Sequence, residues 1–210
     1  MAPGKSRILL AVAIVGLVLG GCVDAQQTPE LDNFSSALSD AAINRTRHTV
    51  LYDGSYRRIG YPWGDVPPNV GVCTDVVIRS YRTLGIDLQQ RVHEDMMSHF
   101  SDYPQIWNMS KPDSNIDHRR VPNLQKFFRR LGIELAVSSD PQAYRTGDLV
   151  TWTVGGNLPH IGIVVDRRTS DGQRPLIVHN IGSGPQLEDV LFAFPITGHF
   201  RYEVEVAPGS

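Results

Sequence analysis

Two periodicities divide the chain. Up to about residue 131 its apolar side chains recur at helical spacing, and from residue 148 they alternate. Leu31, Phe34, Leu38 and the pair Ala41-Ala42 predict a first helix, with Pro29 suited to its opening turn. Residues 52–72 read as a loop, broken by Pro62, Pro67, Pro68, Gly60, Gly64 and Gly71. Val76, Val77, Ser80 and Leu84 form one stripe of a second helix that stops at Gly85. Leu124, Phe127, Phe128 and Leu131 predict a third over 123–131, stopped by Gly132. Strands are expected at 148–154, 160–166, 175–180 and 199–206, separated by Gly155-Gly156-Asn157, Ser170-Asp171-Gly172 and Gly182-Ser183-Gly184. Helices followed by a run of strands predict an α+β domain with a mostly antiparallel sheet.

The N-terminus stands outside this pattern. Lys5 and Arg7 precede an apolar run, residues 8–19, broken only by Gly16. The run is too short to span a bilayer and reads as an export signal. Its ending, Leu19-Gly20-Gly21-Cys22, resembles a bacterial lipobox. That resemblance implies a lipoprotein signal peptide at 1–21, a lipidated Cys22 and a tether over 22–30. Val23 after the cysteine implies the outer membrane, facing the periplasm. The rival reading is an ordinary secretory signal with Cys22 incidental. Residues 31–210 then make one domain, expected to be monomeric.

Charge and cysteine content narrow the function. Loss of Lys5 and Arg7 leaves 18 basic against 22 acidic side chains, a net charge near −4. That balance offers no footprint for nucleic acid. An exported protein normally pairs its cysteines, yet Cys73 has no partner once Cys22 carries lipid. Cys73 opens the second helix, where the helix dipole favours a thiolate. On the strand that follows, His160 and Gly162 share one face, while Ile161, Ile163 and Val165 share the other. A hairpin turning near 170–173 brings His160 close to His179 and Asn180, only one of which can look at it. A Cys at a helix start, facing a His oriented by a second polar residue, is the generalised triad arrangement.

Taken in order, Tyr61-Pro62-Trp63-Gly64, Cys73-Thr74, Gly147-Asp148-Leu149-Val150, His160-Ile161-Gly162-Ile163-Val164 and Ile177-Val178-His179 resemble the NlpC-type cell-wall cysteine peptidases. These are papain-like enzymes that cut amide bonds in peptidoglycan stem peptides. Within that clan the whole chain most resembles a domain-of-unknown-function family of bacterial envelope proteins. The resemblance implies a papain-like NlpC-type fold, Cys73 as nucleophile, His160 as base, His179 as its orienter and Tyr61 as a substrate-positioning residue. It implies no cofactor and no metal. Trp63, Asp75, His118 and Arg119 join Tyr61 as candidate substrate contacts. The run Val72-Cys73-Thr74-Asp75 departs from the family's pattern, and so does a polar segment inserted at about 89–120.

Each residue has a plainer role. Cys73 suits a buried core thiol, His160 and His179 suit satisfied core histidines, and Tyr61 and Trp63 suit loop packing. Asp148 reads as a turn residue. Arg119 and Arg120 suit a solvated pair, or a clamp on a substrate carboxylate. A metal reading of His93, Asp95, His99, Asp117 and His118 lacks the helical His-x3-His spacing of zincins. The expected function is a cysteine hydrolase acting on a cell-wall amide. Its rivals are a non-catalytic module binding peptidoglycan, and a thiol acyltransferase or esterase of the same clan.

Overall fold

The computed structural model describes Met1 and residues 29–204. The signal peptide, the lipidation at Cys22 and most of the tether lie outside the described residues. Among the described residues no helix is long and apolar enough to cross a membrane.

Four helices precede most of the sheet. Helix α1 spans Pro29–Arg45, α2 Cys73–Thr83, α3 Leu88–His99 and α4 Val121–Arg130. Gly85 and Gly132, just past α2 and α4, have φ of 77° and 69°. In this left-handed region glycine stops a helix without steric cost. Helix α3 falls inside the segment read as a polar insertion. Its Leu88, Val92 and Met96 are spaced by four and all buried.

The strands are β1 Leu51–Tyr52, β2 Val70–Gly71, β3 Glu134–Leu135, β4 Leu149–Val154, β5 Leu158–Arg168, β6 Pro175–His179, β7 Gln186–Glu188 and β8 Ile196–Phe200. Strands β1 and β2 form a short parallel pair. The other six make one sheet, in the order β3-β8-β4-β5-β6-β7, and every neighbouring pair in it is antiparallel. The expected α+β class with an antiparallel sheet holds. Strands β1 and β2 bracket the stretch expected to be a loop, and β3 and β7 also have no counterpart among the expected strands.

Alternation along β5 gives the sheet two different faces. Ile161, Ile163 and Val165 pack with Phe34, Val77 and Tyr81 of the helices in the main core. Val164 joins Val150, Trp152 and Ile177 in a second cluster on the reverse face. Side chains of that size each bring roughly 1.5–3 kcal/mol on full burial. The two clusters therefore fix the register of β5 and the direction in which His160 points.

Candidate functional site

Four side chains position the start of α2. Arg79 reaches back along the helix to the carbonyls of Val66, Pro67 and Val70 and holds the Asp65 carboxylate through Nε at 2.9 Å. Asp75, at the third helical position, accepts the Val72 N–H at 2.7 Å. Arg119 donates Nε and Nη2 to the two oxygens of Asp75, both at 2.9 Å. The Thr74 hydroxyl donates to the Arg119 carbonyl at 3.1 Å. Strand β1 beside β2 then places Tyr52 against the thiol, where burial and the neighbouring Cys73 raise the phenol to about 12.

Cys73 lies at the floor of a cleft of about 570 Å³ lined also by Tyr52, Trp107, Ile116, Arg120 and Pro159. Its thiol is buried, and burial pushes it up to about 11. The amides of Ile161, Thr74 and Cys73 oppose that shift without overcoming it. The sequence leads one to expect a thiolate; desolvation outweighs the helix dipole here, and the resting group is a neutral thiol. Among the described residues no hydrogen bond joins Sγ to His160. The sulfur rests against the N–H of Ile161, so thiol and imidazole flank the same 160–161 peptide.

Behind that peptide runs a line of three side chains. The hairpin register pairs Gly162 with His179, and His160 Nε2 stands 2.9 Å from His179 Nδ1. His179 Nε2 is 2.8 Å from Glu188 Oε2. These contacts settle the tautomers, because a carboxylate only accepts. His179 carries its proton on Nε2 and accepts at Nδ1. His160 therefore donates from Nε2, and its Nδ1 keeps a free lone pair. Burial and the neighbouring His179 lower His160 to about 4, so it is neutral at pH 7. Burial also lowers His179, against the pull of Glu188.

Asn180, the alternative third residue, faces away from this line, and its Oδ1 accepts the Gly182 N–H. Glu188 escaped the sequence reading because the last β6–β7 hairpin did. The signal was alternation alone, since Gln186 and Glu188 share the face of His179.

Of the other expected contacts, Arg119 alone is among the cleft-lining residues. Tyr61 and Trp63 do not line the cleft. Tyr61 packs edge-on against His93 with ring centroids 5.0 Å apart, and the Trp63 N–H binds Asp87. The tyrosine beside the thiol is Tyr52. Arg119 does line the cleft, while its Nε/Nη2 edge is held by Asp75, the two side chains being 3 % and 4 % exposed. His118 is buried outside the cleft with Nδ1 unpartnered. Burial and Arg119 hold it down at about 3. Asp148 is the turn residue expected, since the Arg145 N–H donates to it. Asp148 also binds His199 and Arg201. Among the described residues no three His, Cys, Asp or Glu side chains converge in a way that could hold a metal ion.

Comparison with known proteins adds a family. The model for DUF1287, a domain of unknown function, matches residues 39–202. The chain is also 49% identical over 173 residues to the uncharacterized protein YijF of Escherichia coli strain K12, covering 82% of this chain and 84% of that one.

Proposed function

The chain belongs to the DUF1287 family, and we propose that it is a papain-like, NlpC-type cysteine hydrolase cutting an amide of peptidoglycan stem peptides. One observation carries this reading. The line Glu188–His179–His160 buries two imidazoles in contact, and it ends one residue along β5 from the Ile161 N–H that bonds the Cys73 sulfur. Burying imidazoles costs desolvation, and groups perturbed in this way cluster at functional sites.

In the proposed cycle the substrate carbonyl enters the cleft and Cys73 Sγ attacks its carbon as the thiol proton passes to His160 Nδ1. A C–S bond forms and the carbonyl π pair moves to oxygen, where the α2 N-terminus and the Cys73 N–H offer positive charge. Collapse breaks the C–N bond, and the imidazolium returns its proton to the leaving amine. Water, deprotonated by the same nitrogen, then adds to the thioester carbon, the C–S bond breaks, and the imidazolium returns its proton to the Cys73 sulfur. An export signal and lipid on Cys22 would hold the domain against the cell wall.

The apolar cleft wall at Ile116, Val121, Pro122 and Pro159 favours a second reading, a thiol acyltransferase or esterase using the same residues. The deciding experiment is a peptidoglycan digest read by mass spectrometry with detergent-purified protein. Stem-peptide fragments released by the natural chain, and absent with Cys73→Ser, would support the hydrolase. Equal sacculus binding by both without product would replace it with a binding module.

A further inference from the structure

The segment at 100–122 supplies one wall of the cleft, and two adjacent arginines on it are used differently. In Arg119 the Nε/Nη2 edge, a two-donor fork shaped for a carboxylate, is filled by Asp75. Arg120 lines the cleft with Cys73, and its guanidinium carbon lies 4.1 Å from the centroid of the Trp107 ring. Its Nη1 donates to Asp117 Oδ1 at 3.1 Å. Its own Nε/Nη2 edge has no protein partner among the described residues. The stacking and the Asp117 contact fix the guanidinium plane before any ligand arrives, which lowers the ordering cost of binding.

A second feature points the same way. Arg120 is the N-cap of α4, a helix of 10 residues, and makes no side-chain cap bond. Val121 and Pro122 of that first turn also line the cleft. Pro122 has no N–H and the Asn123 N–H bonds the Arg120 carbonyl, so α4 adds mainly its dipole and the open guanidinium is the group that attracts an anion. The neighbouring carboxylates are committed already. Asp75 pairs with Arg119, while Asp117 holds Arg120 and the Asp113 N–H. Asp113 accepts from Tyr56 and Asn115.

The geometry points to Arg120 as a specificity-determining residue that receives a substrate carboxylate near the scissile amide. This rests on the hydrolase reading of the cleft and narrows it to acidic peptides. In a stem peptide the matching group is the free α-carboxylate of the γ-linked glutamyl residue.

The test uses the full chain in detergent with Cys73→Ala, titrated with alanyl-γ-glutamyl-diaminopimelate and with the same peptide amidated at the glutamyl α-carboxylate. The acid form is expected to bind at least about tenfold more tightly by calorimetry and to perturb Trp107 fluorescence. Arg120→Gln should reduce that preference to below about twofold, and Arg120→Lys should keep part of it. Equal affinities with Arg120 intact, no binding of either peptide, or a preference surviving Arg120→Gln would overturn the proposal. The acid–amide comparison needs no change at Arg120, so a poorly folded variant does not blunt it. The two readings fail separately. Cleavage of both peptides at equal rates by the natural chain sinks carboxylate recognition alone. An Arg120-dependent preference without any cleavage sinks the hydrolase alone.

Discussion

His160 Nε2 and His179 Nδ1 stand 2.9 Å apart with ring planes 84° from each other, and Glu188 beyond them settles which nitrogen donates. The consequence is an electronic one at the far atom. A carboxylate two rings away keeps His160 Nδ1 unprotonated and ready to take a proton.

Long-range proton–nitrogen correlation spectra should therefore show His160 protonated at Nε2 and His179 also at Nε2 at pH 7. Glu188→Ala should blur both assignments and lower kcat by about tenfold with little change in KM. His179→Ala should cost about a hundredfold, within the usual range for acid–base groups. A merely structural Glu188 would leave the tautomers unchanged.

Gly162 makes this contact possible. A Cβ there would stand 2.7 Å from Ile177 Cγ2 and 3.1 Å from His179 Cβ. Gly162→Ala should separate β5 from β6, lose at least about tenfold in kcat and destabilise by roughly 1–3 kcal/mol, as overpacked cores do. Denaturant unfolding beside a rate assay checks both.

A thiol near 11 and an imidazole near 4 set the pH behaviour. Iodoacetamide should modify Cys73 at pH 7 about a hundredfold more slowly than a free cysteine, because little thiolate is present. Activity should be level between about pH 5 and pH 10 and fall as pH drops through about 4, where His160 protonates and Nδ1 is lost as an acceptor. A rate maximum bounded by a thiolate of low pKa would contradict this.

Stability should decline on the acid side for a related reason. His160 near 4 and His118 near 3 bind fewer protons folded than unfolded, where histidine titrates near 6.5. Their contribution is present above about pH 6.5 and is lost as pH falls toward those folded values, at up to about 1.4 kcal/mol per pH unit for each histidine. His118→Asn should flatten part of that slope in unfolding titrations.

The Asp75–Arg119 pair predicts a sharp asymmetry. Arg119→Ala should cost roughly 3–5 kcal/mol by leaving a buried carboxylate unpaired, whereas Asp75→Leu with Arg119→Met together should cost much less. Melting curves of the three chains test it.

Much of this was legible in the sequence where period and punctuation agree. The stripes 76–84 and 124–131 with Gly85 and Gly132 gave α2 and α4, and alternation on 160–166 placed His160 with Gly162. The choice between His179 and Asn180 stayed open until the hairpin register paired Gly162 with His179. What was hidden has physical causes. Helix α3 buries only Leu88, Val92 and Met96 of its apolar side chains, and Met97 stays exposed among polar neighbours. Tyr52 reaches the thiol through a two-residue parallel pair that has no local pattern. The neutrality of Cys73 comes from burial by residues distant in sequence. Arg119 looked available because Asp75, 44 positions earlier, meets it only in the folded chain.

That tie between Asp75 and Arg119 also bears on inheritance. The stretch that walls the cleft is the same stretch that grips the helix opened by Cys73, so a change in one bears on the other. A relative that remodels residues 113–120 to accept another peptide must keep an arginine at 119 or find a new anchor for Val72 and Asp75. Grafting this segment between family members should carry substrate preference across only when the arginine travels with it.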